Sequence, residues 1–125
     1  MNSSFEDKKI SLSINHIFEV NLENNKYIFT NPNHQILEIL RDMKNERFFL
    51  TIYTGNELSN NFNGIETIKK LLMQENIKVD EVSSELNCQS NILVYQGLSL
   101  SLQEFILKYK FQKLFPSISI VSNGA

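Results

Sequence analysis

Two histidines, one cysteine and fourteen carboxylates are the residues of this chain best equipped for catalysis or metal binding. A metal centre needs three or four ligands at characteristic spacings, such as HExxH or paired CxxC. His16 and His34 fall in neither pattern, so no metal site is expected. Cys88 sits in the polar stretch 85–89, and no Lys or Arg lies between Lys78 and Lys108. Nothing nearby in the sequence would stabilise a thiolate there. Asp80, Glu81 and Glu85 form the one local acidic cluster. Adjacent strand residues face opposite ways, so Asp80 and Glu81 read as a solvated acidic edge rather than an acid–base pair. No GxSxG elbow, phosphate-binding P-loop or GxGxxG fingerprint is present. No catalytic residue and no cofactor is therefore assigned.

The elements that would position any site can be read from hydrophobic period. Residues 9–15 (KISLSIN) alternate apolar and polar, the pattern of a half-buried strand. Residues 16–30 read as a hairpin turning at Glu23-Asn24-Asn25, because Asn tolerates left-handed backbone. Asn31-Pro32-Asn33 then opens a helix with Ile36, Leu37, Leu40 and Met43 on one stripe, ending near Asn45. The unbroken apolar run 48–54 (FFLTIYT) reads as a central strand covered on both faces. A long polar loop, 55–64, precedes a second helix at 65–76. Residues 77–82 form a short edge strand and 92–95 (ILVY) another strand. Ser101 and Glu104 make a capping box for a helix over 102–115, stopped by Pro116. A last strand is expected at 118–121. The whole is a single α/β (or α+β) domain over 1–125, with 1–8 and 122–125 as frayed ends. It carries a mixed sheet with an N-terminal β-hairpin, followed by alternating helices and strands. The hairpin is expected to extend that sheet at one edge.

Composition narrows the function classes. The 12 basic and 14 acidic residues leave a net charge of −2. Nucleic-acid binders draw much of their affinity from a basic excess, which is lacking here. Lys108, Lys110 and Lys113 spread around their helix rather than lining one face. The N-terminal residues include acids beside the lysines and no apolar core, so no secretory leader is expected. No apolar run approaches the roughly 20 residues that span a bilayer. A single cysteine allows no internal disulfide. A cytoplasmic protein without membrane or nucleic-acid partners is the expectation.

Two kinds of site remain. In open α/β sheets, ligands bind beyond the carboxyl ends of strands. Those positions are Thr54, Gly55 and Asn56 after FFLTIYT; Gln96, Gly97 and Ser99 after ILVY; and Ser122 and Asn123 after the last strand. The alternative is a protein interface. Tyr27 and Phe29 on the hairpin and Tyr109 and Phe111 on the last helix are its candidates. Residues 50–82 (LTIYTG, then IETIKKLLMQENIKVDEV) resemble the first βαβ unit of glutaredoxin-like proteins, over about a quarter of the chain. The Cys-x-x-Cys of that family is missing, since the matching region 56–64 holds no cysteine. The resemblance thus implies at most a redox-inactive thioredoxin-like fold. The favoured expectation is a protein-binding module: an adaptor, inhibitor, immunity factor or assembly subunit. Its partner is another protein, and a second copy of the chain is also allowed. The competing expectation is a small-molecule-binding or enzymatic domain using the strand-end loops.

Overall fold

The computed structural model describes residues 8–55, 62–84 and 92–115. Its elements are β1 (Lys9–Ser13), a 3-10 turn (Ile14–His16), β2 (Glu19–Glu23), β3 (Lys26–Thr30), α1 (His34–Asn45) and β4 (Phe49–Thr54). Then follow α2 (Phe62–Gln74), β5 (Glu81–Ser84), β6 (Ile92–Tyr95), β7 (Leu98–Ser101) and α3 (Leu102–Leu114). Five strands form a mixed sheet in the order β5-β4-β1-β6-β7, and β2 and β3 form a separate two-stranded sheet. This is a single small mixed α/β domain, as the alternation of strand and helix predicts. The positions 56 and 85–91, and the expected strand at 118–121, lie outside the described residues.

β1 is the centre of the sheet. It pairs in parallel with β4, Ile10 against Leu50 and Leu12 against Ile52. On its other side it pairs antiparallel with β6, Ile10 against Tyr95. Ile10, Leu12, Leu50 and Ile52 are fully buried on one face. Ser11, Ser13 and Thr51 on the other face are buried too. The alternating sequence of β1 predicts a half-buried strand, and this is corrected: a central strand is enclosed on both sides. Small hydroxyl residues suit that second face because they can hydrogen-bond locally. β4 is an interior strand covered on both faces, as its continuous apolar run implies.

The two-residue turns follow from residue chemistry. Asn24 and Asn25 take φ 51° and 63°, and the turn joins β2 to β3 in register. Gln96 and Gly97 take φ 54° and 83° and join β6 to β7. Paired left-handed residues match the right-handed twist of a hairpin, and Asn and Gly reach them at least cost. The sequence places Ser99 in a loop beyond ILVY. Residues Leu98–Ser101 instead pair with β6 as β7, the outermost described strand on that side of the sheet. The other edge, β5, starts at Glu81 rather than Ile77, and Ile77 and Val79 are core side chains leading into it. The hairpin does not extend the main sheet. Among the described residues it pairs only with itself, and it packs Val20, Tyr27 and Phe29 against the core.

The helices join at named contacts. Asn33 caps α1, its Oδ1 accepting from the Ile36 N–H at 3.2 Å. Ser101 and Glu104 form the expected capping box on α3. Phe105 of α3 lies edge-on to Tyr95 of β6 with ring centroids 5.0 Å apart, so α3 covers the Ile10 face. The Tyr109 hydroxyl donates to Asp42 of α1. Lys113 reaches the same carboxylate at 2.9 Å and Glu46 at 3.4 Å. Arg41 donates to the Glu75 carbonyl at 2.8 Å, tying α1 to the end of α2.

Asp80 is not a solvated edge acid. Its Oδ2 accepts from the Leu50 N–H at 2.7 Å and pairs with Lys44, which also donates to the Phe48 carbonyl. Glu81 accepts from Thr51 Oγ1 at 3.0 Å. The carboxylates therefore fasten β5 and α1 to β4. Removing Asp80 leaves a half-buried ammonium and a strand N–H without their acceptor. Asp80→Ala is expected to cost about 2 kcal/mol in urea denaturation, and Asp80→Asn, which keeps an acceptor, less than half of that.

The Tyr109 and Lys113 donors hold the Asp42 carboxyl below its ordinary value of 3.8. Asp42 in turn raises Lys113 above 10.5. A depressed carboxylate contributes stability above its unfolded value and loses it as pH falls through the folded one. The melting-point difference between the native chain and Asp42→Asn should be fully present at neutral pH and shrink on acidification below 3.8. A difference that stays constant down to acid would show the carboxylate charge to be uninvolved.

Candidate functional site

The strand directions decide which predicted positions can meet. β1 and β4 run the same way, so their carboxyl ends share one edge. Ser13 stands beside Tyr53, which places Thr54 next to the 3-10 turn. Thr54 is fully buried, and its Oγ1 has no hydrogen-bond partner among the described residues. Gly55 follows at the same edge, half-buried, and Asn56 lies outside the described residues.

Gln96 and Gly97 do not join them. β6 runs against β1, so its carboxyl end lies at the opposite edge, where the Gln96 N–H donates to the Lys9 carbonyl at 3.0 Å. Ser99 stands opposite Val94 in the middle of the β6–β7 ladder. The strand-end rule holds for parallel sheets, and the antiparallel course of β6 reverses its ends. Ser122, Asn123 and Cys88 lie outside the described residues.

A cleft of about 360 Å³ does open at the carboxyl end of β1. It is lined by Asn15 and His16 of the 3-10 turn, Ile17, Phe18 and Glu19 leading into β2, Asn31 and Asn33 after β3, and Leu102, the first residue of α3. Each piece is held locally. Ser13 Oγ accepts from the Asn15 N–H at 3.1 Å, capping the turn. The Asn33 N–H donates to the Ile17 carbonyl at 2.8 Å. Asn31 takes the left-handed φ of 50° and donates through Nδ2 to Glu19 at 3.0 Å. Phe18 and Phe29 meet edge to face with centroids 6.0 Å apart, which seats the hairpin beside the cleft. The cleft lies at the carboxyl end of the central strand, beside the parallel strand β4.

These cleft residues were not marked by sequence reading, apart from the weighing of His16 as a metal ligand. The signal that finds them is the strand-end rule applied to the first strand. Among the described residues, no three His, Cys, Asp or Glu side chains gather as a metal group. No described helix is long and apolar enough to cross a membrane.

The four aromatic interface candidates separate. Tyr27 and Phe29 are half-buried against the core. Tyr109 is buried, and burial together with Asp42 pushes its hydroxyl well above the ordinary tyrosine range. It is a structural residue of the α1–α3 joint and offers no contact face. Burial, helped by the Glu46 charge, likewise pushes Tyr95 up to about 12. Its hydroxyl donates to Gln112 Oε1 at 2.6 Å. Phe111 alone is exposed, and it has company. Leu107 (69%), Phe111 (49%), Leu114 (73%) and Phe115 (45%) are open to solvent at the C-terminal half of α3. Their spacing of i, i+4, i+7 and i+8 puts them on one stripe. At 100° per residue, Lys110 falls on one flank of that stripe and Lys108 on the other. Lys113 points away to Asp42 and Glu46.

The 50–82 segment contains strands β4 and β5, paired in parallel, with α2 between them. No family model, no curated protein and no solved structure matches the chain.

Proposed function

We propose that this chain is a non-catalytic protein-binding module, of the adaptor, inhibitor or assembly-subunit kind. The observation that carries the reading is the exposed apolar stripe of α3. The inner face of α3 is already occupied by the core through Phe105 and Tyr109. The outer face presents Leu107, Phe111, Leu114 and Phe115 to solvent, with Phe111 and Phe115 in ring contact at 5.1 Å. Contiguous exposed apolar patches with a polar rim are typical of protein contact surfaces.

The flanking charges select the partner. Lys108 and Lys110 border the stripe, so two copies of this face would bring ammonium groups toward one another. An amphipathic helix with acidic residues beside its apolar face complements both the stripe and its borders. A second copy of the chain is the poorer occupant on this ground.

The test places a photo-crosslinking residue at position 107 and maps the captured peptide. An amphipathic helix with acidic flanks is expected. Phe111→Asp should weaken the recovered complex by about a hundredfold, while Leu22→Glu, on the exposed hairpin, should not. Binding that ignores Phe111→Asp, or a crosslink from one copy of the chain to another, overturns the reading.

A further inference from the structure

The cleft at the carboxyl end of β1 is independent of the α3 stripe, and its lining has its own chemistry. We infer that it is a binding site for a small neutral polyhydroxylated molecule, a sugar or polyol. Three asparagines (Asn15, Asn31 and Asn33), His16 and Glu19 are among its lining residues. Asn33 Oδ1 is taken by the Ile36 N–H and one Asn31 amide hydrogen by Glu19, but each amide keeps its complementary atom, and a carboxylate oxygen accepts more than one bond. A ring of hydroxyls, each donor and acceptor at once, is complementary to such a set. Phe18 and Leu102 add apolar lining for the C–H groups of the same molecule. The volume of about 360 Å³ suits a compact ligand.

The same residues argue against an anion. No Lys or Arg is among the lining residues, and Glu19 is the one formal charge. The helix starts that border the cleft are already capped, with the Ile36 N–H taken by Asn33 Oδ1 and the Glu104 N–H by Ser101 Oγ. Phosphate would meet a carboxylate and no cation. A hydroxyl would meet an acceptor held in place by Asn31.

The site is built before any ligand arrives. Its residues come from the capped 3-10 turn, the start of β2, the Asn31–Asn33 link into α1 and the first residue of α3. A preformed polar site loses little in ordering when it binds.

The experiment is a titration of the ¹⁵N-labelled full chain with D-glucose, D-galactose, D-ribose and myo-inositol, each alone, and with inorganic phosphate. At least one of the neutral probes should give saturable shifts confined to residues 15–19, 31–33 and 102. Asn31→Gly keeps the left-handed backbone while removing the amide. It should weaken that binding about tenfold with the melting midpoint maintained, and Asn15→Ala should act in the same direction. Silence from all four neutral probes, a response to phosphate alone, or affinity indifferent to both variants overturns the inference. None of these outcomes bears on the α3 stripe, whose test reads a different surface.

Discussion

The rest of the structure depends on the enclosure of β1. A strand with neighbours on both sides and cover on both faces has nowhere to place a charged side chain. Lys9 at its first position is the one charge it carries, and the residues after it are isoleucine, leucine and serine. Burying Ile10 and Leu12 completely supplies hydrophobic stabilisation of about 2 kcal/mol each. The cost is that Ser11 and Ser13 must lie in the interior as well. Beyond the carboxyl end of β1 the chain turns through Ile14–His16 into the β2–β3 hairpin, and residues flanking that hairpin line the cleft.

The helices are coupled to this sheet by charge as much as by packing. Asp42 gathers Tyr109 and Lys113 from α3, and Lys44, two residues on, reaches Asp80 at the head of β5. Asp42 and Lys44, about 200° apart on α1, thus fasten the helix to α3 on one flank and to β5 on the other. The same arrangement buries Tyr109 and turns Lys113, itself exposed, toward α1 and away from the apolar stripe of α3. What remains on the outer face is apolar with Lys108 and Lys110 at its borders, a simpler surface than the sequence of that helix suggests.

Much of the fold was legible in the residues. Apolar stripes located α1 and α3 to within a residue, because caps at Asn33 and Ser101 are local chemistry. The 23–25 turn was legible because two successive asparagines reach left-handed backbone. What stayed hidden was non-local. Gln96-Gly97 is a hairpin turn, yet LSLS after it offers alternation without bulk, so β7 was missed. The direction of β6 followed from that pairing, and with it the misplacement of Gln96, Gly97 and Ser99 as ligand residues. The cleft escaped for a related reason. Asn15, Asn31 and Asn33 read as ordinary turn and cap residues until the strand order brings them around one space.

The strand order also sets the order in which the chain can complete itself. β1 precedes the other described strands, and its parallel partner β4 follows after the hairpin and one helix, but the partner on its other side, β6, follows only after β4, α2 and β5. Until β6 has been made, that edge of the central strand is open, with its N–H and C=O groups unmatched. Ordering so distant a pairing carries a large loop-closure penalty, which slows folding. The β1-α1-β4-α2-β5 half is the natural early unit, and the β6-β7-α3 unit docks onto it as a closing piece. A nascent chain interrupted before Tyr95 would leave the central strand of the sheet with an open edge, which is the circumstance in which chaperone capture or aggregation competes with folding.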